Sequence, residues 1–168
     1  SRLAWSEHDP GDDSPRLRVA DRDLTDAWSP NGVAPRCRMH GYGGRAIWPG
    51  TGAYPWIFIQ DEDQGVWALT SQGKSVPLHT VSDCRHADCD VHPPTGRLVF
   101  LQEAPGEDLT RLVLLDLQSG EVVQPFIEPV PFSASPRFSP DGRWVAWISW
   151  AANEMPWTRS RLWCLDVE

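Results

Sequence analysis

The stretch that decides the fold closes the chain, at residues 135–168, and reads SPRFSPDGRWVAWISWAANEMPWTRSRLWCLDVE. S-P-D-G is typical of a turn between two strands, and a long loop separates the second strand from a third. Because side chains alternate along a strand, Trp144, Ala146 and Ile148 take one face, and Val145 and Trp147 take the other. Both faces are largely apolar, which predicts a sheet packed between two neighbouring sheets.

The same order of strand, turn, strand, loop and strand recurs along the chain in four units. The units begin near Ser1, Arg45, Cys89 and Ser135. Each spans roughly 40 residues, which is the period of β-propeller blades. The sequence therefore predicts an all-β, β-propeller-like fold in a single domain, 1–168. We expect about four blades per chain, at approximately 1–44, 45–88, 89–134 and 135–168.

Composition excludes several classes of protein. The 168 residues carry 23 acidic and 15 basic side chains, a formal net charge of −8, and no Lys/Arg-rich run, so we expect no nucleic-acid partner. No apolar run approaches the ~20 residues of a membrane helix, so we expect no membrane partner. Four cysteines are too few for a disulfide scaffold, which favours reduced thiols and a cytoplasmic protein.

Three segments carry a resemblance to a known family. The closing stretch, RCRMHGYGGRAIW at 36–48 and CRHADCDVHPPTGRLVFLQE at 84–103 resemble the propeller of prolyl-oligopeptidase-type serine peptidases. This chain departs from those motifs at Gly41, His86 and Gln102, where the family carries Glu, Tyr and Arg. The resemblance spans about half of such a propeller. The sequence lacks the G-x-S-x-G nucleophile motif, so we do not expect the chain alone to be a serine peptidase.

Four blades would leave two open sheet edges, and unpaired edges invite pairing with another chain. Twofold symmetry would place the end of each copy beside the start of the other. We therefore expect a homodimer that completes a ring of about eight blades. The alternative is a fragment of a longer peptidase.

A short, dimeric half-propeller also resembles the marinacarboline-type Pictet–Spengler enzymes. That resemblance implies a cyclase that condenses L-tryptophan with an α-oxo aldehyde, a small aldehyde, to form a β-carboline. Such a reaction needs aromatic side chains to hold the indole, an Arg for the substrate carboxylate, and an acid/base group for proton transfers. It implies no cofactor.

Glu103 is the candidate catalytic acid/base. It ends the apolar strand RLVFLQ, so a rigid element would hold it, and it aligns with the Glu that ends the corresponding peptidase strand. The resemblance to the β-carboline enzymes implies the same role. The alternative is an exposed carboxylate at the end of a strand.

The remaining candidates are expected to bind substrate along a channel. They are Arg85, His86, His92, His40, Tyr42, Trp150 and Trp157. Cys84, His86, Cys89 and His92 also offer zinc-ligand types, but C-x-H-x-x-C-x-x-H is not a regular zinc motif, and we expect no metal. Trp144, Trp147 and Trp163 are expected to hold blades together instead.

Two hypotheses follow from the sequence. The first is a homodimeric Pictet–Spengler cyclase, with Glu103 as its acid/base. The second is a non-catalytic module, either a propeller segment that gates a peptidase's hydrolase domain or a binding scaffold.

Overall fold

The computed structural model describes residues 2–8, 10–11, 13–21, 27–41, 43–104, 106, 109–125, 128 and 130–168. These residues form thirteen β-strands and one short 3-10 turn, Met39–Gly41. The strands are β1 Arg2–Glu7, β2 Arg16–Asp21, β3 Ile47–Thr51, β4 Tyr54–Ile59, β5 Val66–Leu69, β6 Ser75–His79, β7 Arg85–His92, β8 Arg97–Glu103, β9 Thr110–Asp116, β10 Val122–Val123, β11 Phe132–Phe138, β12 Trp144–Trp150 and β13 Arg161–Asp166.

The strands form four antiparallel sheets in chain order. Their strand orders are β1-β2, β3-β4-β5-β6, β7-β8-β9-β10 and β11-β12-β13. The first strands of successive sheets lie side by side, β3 beside β7 and β7 beside β11. The predicted all-β, propeller-like fold with four blades is confirmed. Completion of a ring by a second copy stays a prediction.

The core lies between the sheets because each central strand is apolar on both faces. The middle strands β4 and β8 contribute Phe58 and Phe100, which are fully buried. Three apolar clusters join the first sheet to the second, the second to the third, and the third to the fourth. This is the packing that the two-sided apolar pattern predicts.

Two of the expected blade boundaries fall inside strands. The boundary at 88/89 interrupts β7, and the boundary at 134/135 interrupts β11. Both positions are β-bulges, where Asp88 has φ 53 and Ser135 has φ 57. The Ser135 N–H donates to Asp88 Oδ2 at 2.8 Å, so the two bulges face each other. A bulge carries turn-like residues within a strand, which explains why the pattern indicated a break there.

The closing sheet departs from the expectation at one tryptophan. Trp147 is buried and stacks on Trp163 with ring centroids 6.1 Å apart, as expected for residues between blades. Trp144 lies on the outward face and is 39% exposed, with the Arg143 guanidinium 5.3 Å from its ring centroid. Leu162 and Trp157 are 78% and 79% exposed. No described sheet covers the outward face of this last sheet.

Candidate ligand-binding site around Glu103

Glu103 ends β8, the second strand of the third sheet. Residues 98–102 of β8 are buried, so the strand holds the carboxylate on a rigid support. Register places Glu103 opposite Arg85, the first residue of β7. β11 begins and β12 ends at the same edge of the sheets, with Phe132 and Trp150 paired there. We call this edge, which carries Arg85, Glu103, Phe132 and Trp150, the upper edge.

His40 joins the upper edge from the segment that precedes β3. Its backbone N–H donates to Glu103 Oε2 at 2.9 Å, and its ring Nδ1 lies 3.9 Å from the same oxygen. Its Nε2 lies 3.4 Å from the carbonyl oxygen of Ser133, which can only accept. His40 thus bridges the third and fourth sheets, and Glu103 orients its backbone.

The turn that carries His40 depends on a glycine. His40 and Gly43 have φ of 55 and 79 in the left-handed region. A Cβ on Gly43 would lie 2.5 Å from the Cys37 carbonyl oxygen, which no side chain tolerates. Gly43 therefore fixes the close approach of the chain that brings His40 to Glu103.

An aromatic pair lies beside the carboxylate. Phe132 and Trp150 stack with centroids 5.7 Å apart and planes 15° apart. The His40 ring meets Phe132 edge-on at 4.9 Å and lies 6.3 Å from Trp150. The cluster therefore combines a carboxylate with a flat apolar surface, which suits a ligand that has both a positive group and an apolar part.

Glu103 and Arg85 carry opposite charges and lie close together, but no hydrogen bond joins them. Arg85 Nη1 lies 3.9 Å from Glu103 Oε1, which is an ion pair beyond hydrogen-bond length. The Glu103 side chain is 20% exposed and that of Arg85 is 46% exposed. Oε1 can therefore accept a hydrogen bond from a cationic ligand, and Arg85 can turn toward an anionic one.

His86 is not part of the cluster. Successive side chains of β7 point to opposite faces, so His86 points away from Arg85 and lies fully buried between His79 and Phe100. Burial is the main cause that lowers the pKa of His86 to about 4, which keeps the ring neutral near neutral pH. The structure therefore does not bring His86 to the Glu103 cluster, and its expected role in substrate binding stays a prediction.

His92 lies at the opposite end of β7. Its Nε2 donates to the Pro140 carbonyl oxygen at 3.1 Å, and its Nδ1 lies 2.8 Å from Thr95 Oγ1. Because β7 has eight residues and Arg85 is at its other end, the structure does not bring His92 to the Glu103 cluster, and its expected role in substrate binding stays a prediction. Among the described residues, no group of three or more His, Cys, Asp or Glu side chains is placed to hold a metal ion.

Two aromatic candidates remain apart from the cluster. Trp157 lies in the loop between β12 and β13 and points largely into solvent. Tyr42 lies outside the described residues. Of the eight predicted site residues, the structure brings together four: Glu103, Arg85, His40 and Trp150.

Two of the four cysteines do not offer an active thiolate. All four are free, and burial raises the pKa of Cys37 to about 11 and that of Cys89 well above its usual range. The nucleophile is the thiolate, so these two buried thiols are inert near neutral pH.

Sequence reasoning missed Phe132 and a cavity at the same edge. Phe132 begins β11, and its pairing with Trp150 follows from a strand that starts before the expected boundary at Ser135. The cavity has a volume of about 340 Å³. Its lining residues are Val130, Pro131, Ser149, Trp150, Ala151, Glu154, Arg159, Ser160 and Arg161.

Solved structures are similar to this chain, although no protein-family model and no curated protein sequence matches it. A puromycin-hydrolyzing peptidase of Mycobacterium tuberculosis is 24% identical with a TM-score of 0.81, over 99% of this chain and 27% of that chain. A puromycin hydrolase is 24% identical with a TM-score of 0.80, over 99% of this chain and 29% of that chain. TolB from Acinetobacter baumannii is 14% identical with a TM-score of 0.66, over 99% of this chain and 39% of that chain.

These similarities define the class of fold. The match is to the N-terminal propeller region of the prolyl-oligopeptidase-type peptidases, and the chain spans less than a third of their length. The expected resemblance to peptidase propellers is confirmed at the level of the fold. Among the described residues, no helix has the length and apolar character to cross a bilayer.

Proposed function

We propose that this chain is a propeller segment of a prolyl-oligopeptidase-type peptidase that admits and orients short peptides and makes or breaks no bond itself. The observation that carries the proposal is the match of 99% of the chain to the propeller region of a puromycin-hydrolyzing peptidase, with a TM-score of 0.81. The uncovered apolar face of the last sheet supports it, because a following blade would bury Trp144 and Leu162.

The cluster at the upper edge supplies the peptide-binding part of this proposal. Glu103 is a held carboxylate with one oxygen available, and a peptide's amino terminus is an ammonium donor. The Phe132–Trp150 stack beside it offers an apolar surface for the first side chain. We therefore assign Glu103 as the group that binds the free amino terminus.

The test uses the tripeptide Pro-Gly-Gly, abbreviated PGG, because it has a free amino terminus and a free carboxylate. Calorimetric titration of the isolated chain should show PGG binding, and amino-acetylated PGG should bind far more weakly. A hydrogen bond to a charged group contributes about 1.5–3 kcal/mol, so Glu103→Gln should weaken PGG binding by about tenfold or more. The chain alone should release no chromophore from an aminoacyl p-nitroanilide.

A matched control is available in the same sheet. Glu121 is an exposed carboxylate between β9 and β10, and Glu121→Gln removes the same charge without touching the cluster. It should bind PGG like the parent chain. Equal binding of PGG and acetylated PGG, or full binding by Glu103→Gln, contradicts the assignment.

A second candidate is the Pictet–Spengler cyclase. One observation favours it: a carboxylate, an Arg and a stacked aromatic pair meet at one edge, and these are the groups that the reaction needs. The comparisons favour the peptidase segment instead. Mixing the chain with L-tryptophan and an α-oxo aldehyde tests the cyclase, because it predicts a fluorescent product above the buffer rate that Glu103→Ala abolishes.

A further inference from the structure

The cavity at the upper edge of the fourth sheet is distinct from the Glu103 cluster but shares a wall with it. Its volume of about 340 Å³ is at the lower end of the range for small-molecule pockets. Trp150 lines it and also lies 6.3 Å from the His40 ring. A ligand that occupies both places would therefore cross Trp150.

Two arginines line the cavity together with apolar residues. Arg161, at the start of β13, has no ion-pair or hydrogen-bond partner for its guanidinium within the described part of the chain. Arg159 pairs only with Glu154, at 3.5 Å, and is 79% exposed. The protein carries a net charge of −8, yet two arginines and one glutamate line this cavity.

Ser149 adds a buried donor. It is 3% exposed, and its Oγ accepts a hydrogen bond from Trp163 Nε1 at 2.7 Å. Its hydroxyl proton must therefore point elsewhere, and no hydrogen bond that the hydroxyl donates is found among the residues that the structure describes. A buried donor without an acceptor, in the wall of a cavity, is suited to an anionic ligand.

The rest of the wall is apolar. Val130, Pro131 and the Trp150 indole form this part. The cavity therefore matches a carboxylate attached to an apolar body, because the guanidinium and hydroxyl groups would contact the charge and the indole would contact the body.

We propose that this cavity is a second subsite, which binds the terminal carboxylate and last side chain of a short peptide. The proposal rests on the peptide-binding function above, since it adds a carboxylate subsite to the amine subsite at Glu103. It predicts that peptides with both ends free bind better than peptides with either end blocked.

The experiment isolates the carboxylate by using probes without a free amine. N-acetylphenylalanine and N-acetylphenylalaninamide differ only in that charge, and calorimetry or ligand-observed NMR gives both affinities. The acid should bind about five- to tenfold more tightly than the amide, as expected for a partly exposed charge-assisted contact. Arg161→Gln should abolish that preference.

Arg143→Gln is the matched control, because Arg143 is an exposed arginine at the far end of the same sheet, paired with Asp166. It should keep the preference for the acid. Equal affinity for the two probes, no measurable binding of the acid, or an unchanged preference in Arg161→Gln overturns the proposal.

The assignments of the two subsites can be rejected independently of each other. Glu103→Gln should leave both acetylated probes unaffected, since neither carries an amine. Loss of PGG binding in Glu103→Gln without an effect of Arg161→Gln on the probes would retain the amine subsite and reject the cavity. The reverse result would retain a carboxylate pocket and reject the assignment of Glu103.

Discussion

Acid should destabilise this protein through His86. The ring is fully buried, and its Nδ1 lies 2.7 Å from the Gln64 carbonyl oxygen, so Nδ1 carries the proton of the neutral form. Nε2 is buried without a hydrogen-bond partner among the described residues. Protonation of Nε2 would bury a charge beside Phe100 and His79, and burial accordingly lowers the pKa of His86 from 6.5 to about 4.

The size of the effect follows from that pKa. Because the folded pKa lies below the unfolded value, the unfolded chain binds more protons between about pH 6.5 and about pH 4. Stability is therefore full above this window, falls as the pH falls through it, and levels off below it. Between about pH 7.5 and about pH 5 the loss from His86 is about 2 kcal/mol. Burial also lowers the pKa of His79, so its contribution has the same sign.

The assay is urea unfolding at the two pH values, followed by tryptophan fluorescence, in the parent chain and in His86→Gln. Glutamine does not titrate, and its amide can still donate to the Gln64 carbonyl. The difference in unfolding free energy between the two pH values should be smaller in His86→Gln by about 2 kcal/mol. Contributions from carboxylates are common to both proteins and cancel in this comparison.

A control separates proton binding from a general loss of stability. Val66 is fully buried in the core, and Val66→Ala destabilises the fold while it keeps both imidazoles. It should retain the pH dependence of the parent chain. If His86→Gln retains that dependence as well, the argument from the buried imidazole is refuted.

Three further predictions concern packing and association. Gly43→Ala should lower the free energy of unfolding in urea by about 1–3 kcal/mol. Gly120 also has a positive φ but has open space around it, so Gly120→Ala should lower the free energy of unfolding by less. Equal losses of stability would contradict the steric argument. Trp147→Ala, in the core, should lower the free energy of unfolding by about 3–5 kcal/mol, whereas Trp157→Ala, in solvent, should lower it by less than ~0.5 kcal/mol. Similar shifts in melting temperature for the two variants would refute the argument from burial. The isolated chain should self-associate through the outward face of the last sheet, and sedimentation velocity should show less association for Leu162→Glu; unchanged association would place the contact elsewhere.

Much of the fold could be predicted from local pattern. The apolar strands, such as β8 and β12, are confirmed with their turns, because two-sided apolar runs between turn signals favour buried strands. The first strands β7 and β11 were harder to predict. Each contains polar residues and a bulge, and the expected unit boundaries near Cys89 and Ser135 fall where the strand in fact continues.

The candidate site was less accessible to sequence reasoning, because its residues come from distant segments. Glu103 and Arg85 follow from pairing within one sheet, but the contact of His40 with Glu103 spans 63 positions and depends on the backbone turn at Gly43. His86 is the opposite case. It is next to Arg85 in sequence, but strand alternation places the two side chains on opposite faces.

Packing explains why the charged candidate residues lie at the upper edge. Along the middle of β8, side chains on both faces are enclosed by neighbouring strands and sheets, so polar groups there would be costly. At the strand ends the packing stops, and Glu103, Arg85 and Arg161 can keep their charge while the buried strands still fix their backbones. Trp150, at the end of β12, belongs to both regions: it is buried like a core residue, yet it lines the cavity. The sheets therefore place the Glu103 carboxylate and the cavity on either side of one tryptophan, and this arrangement is the reason for proposing a short peptide with both ends free as the ligand.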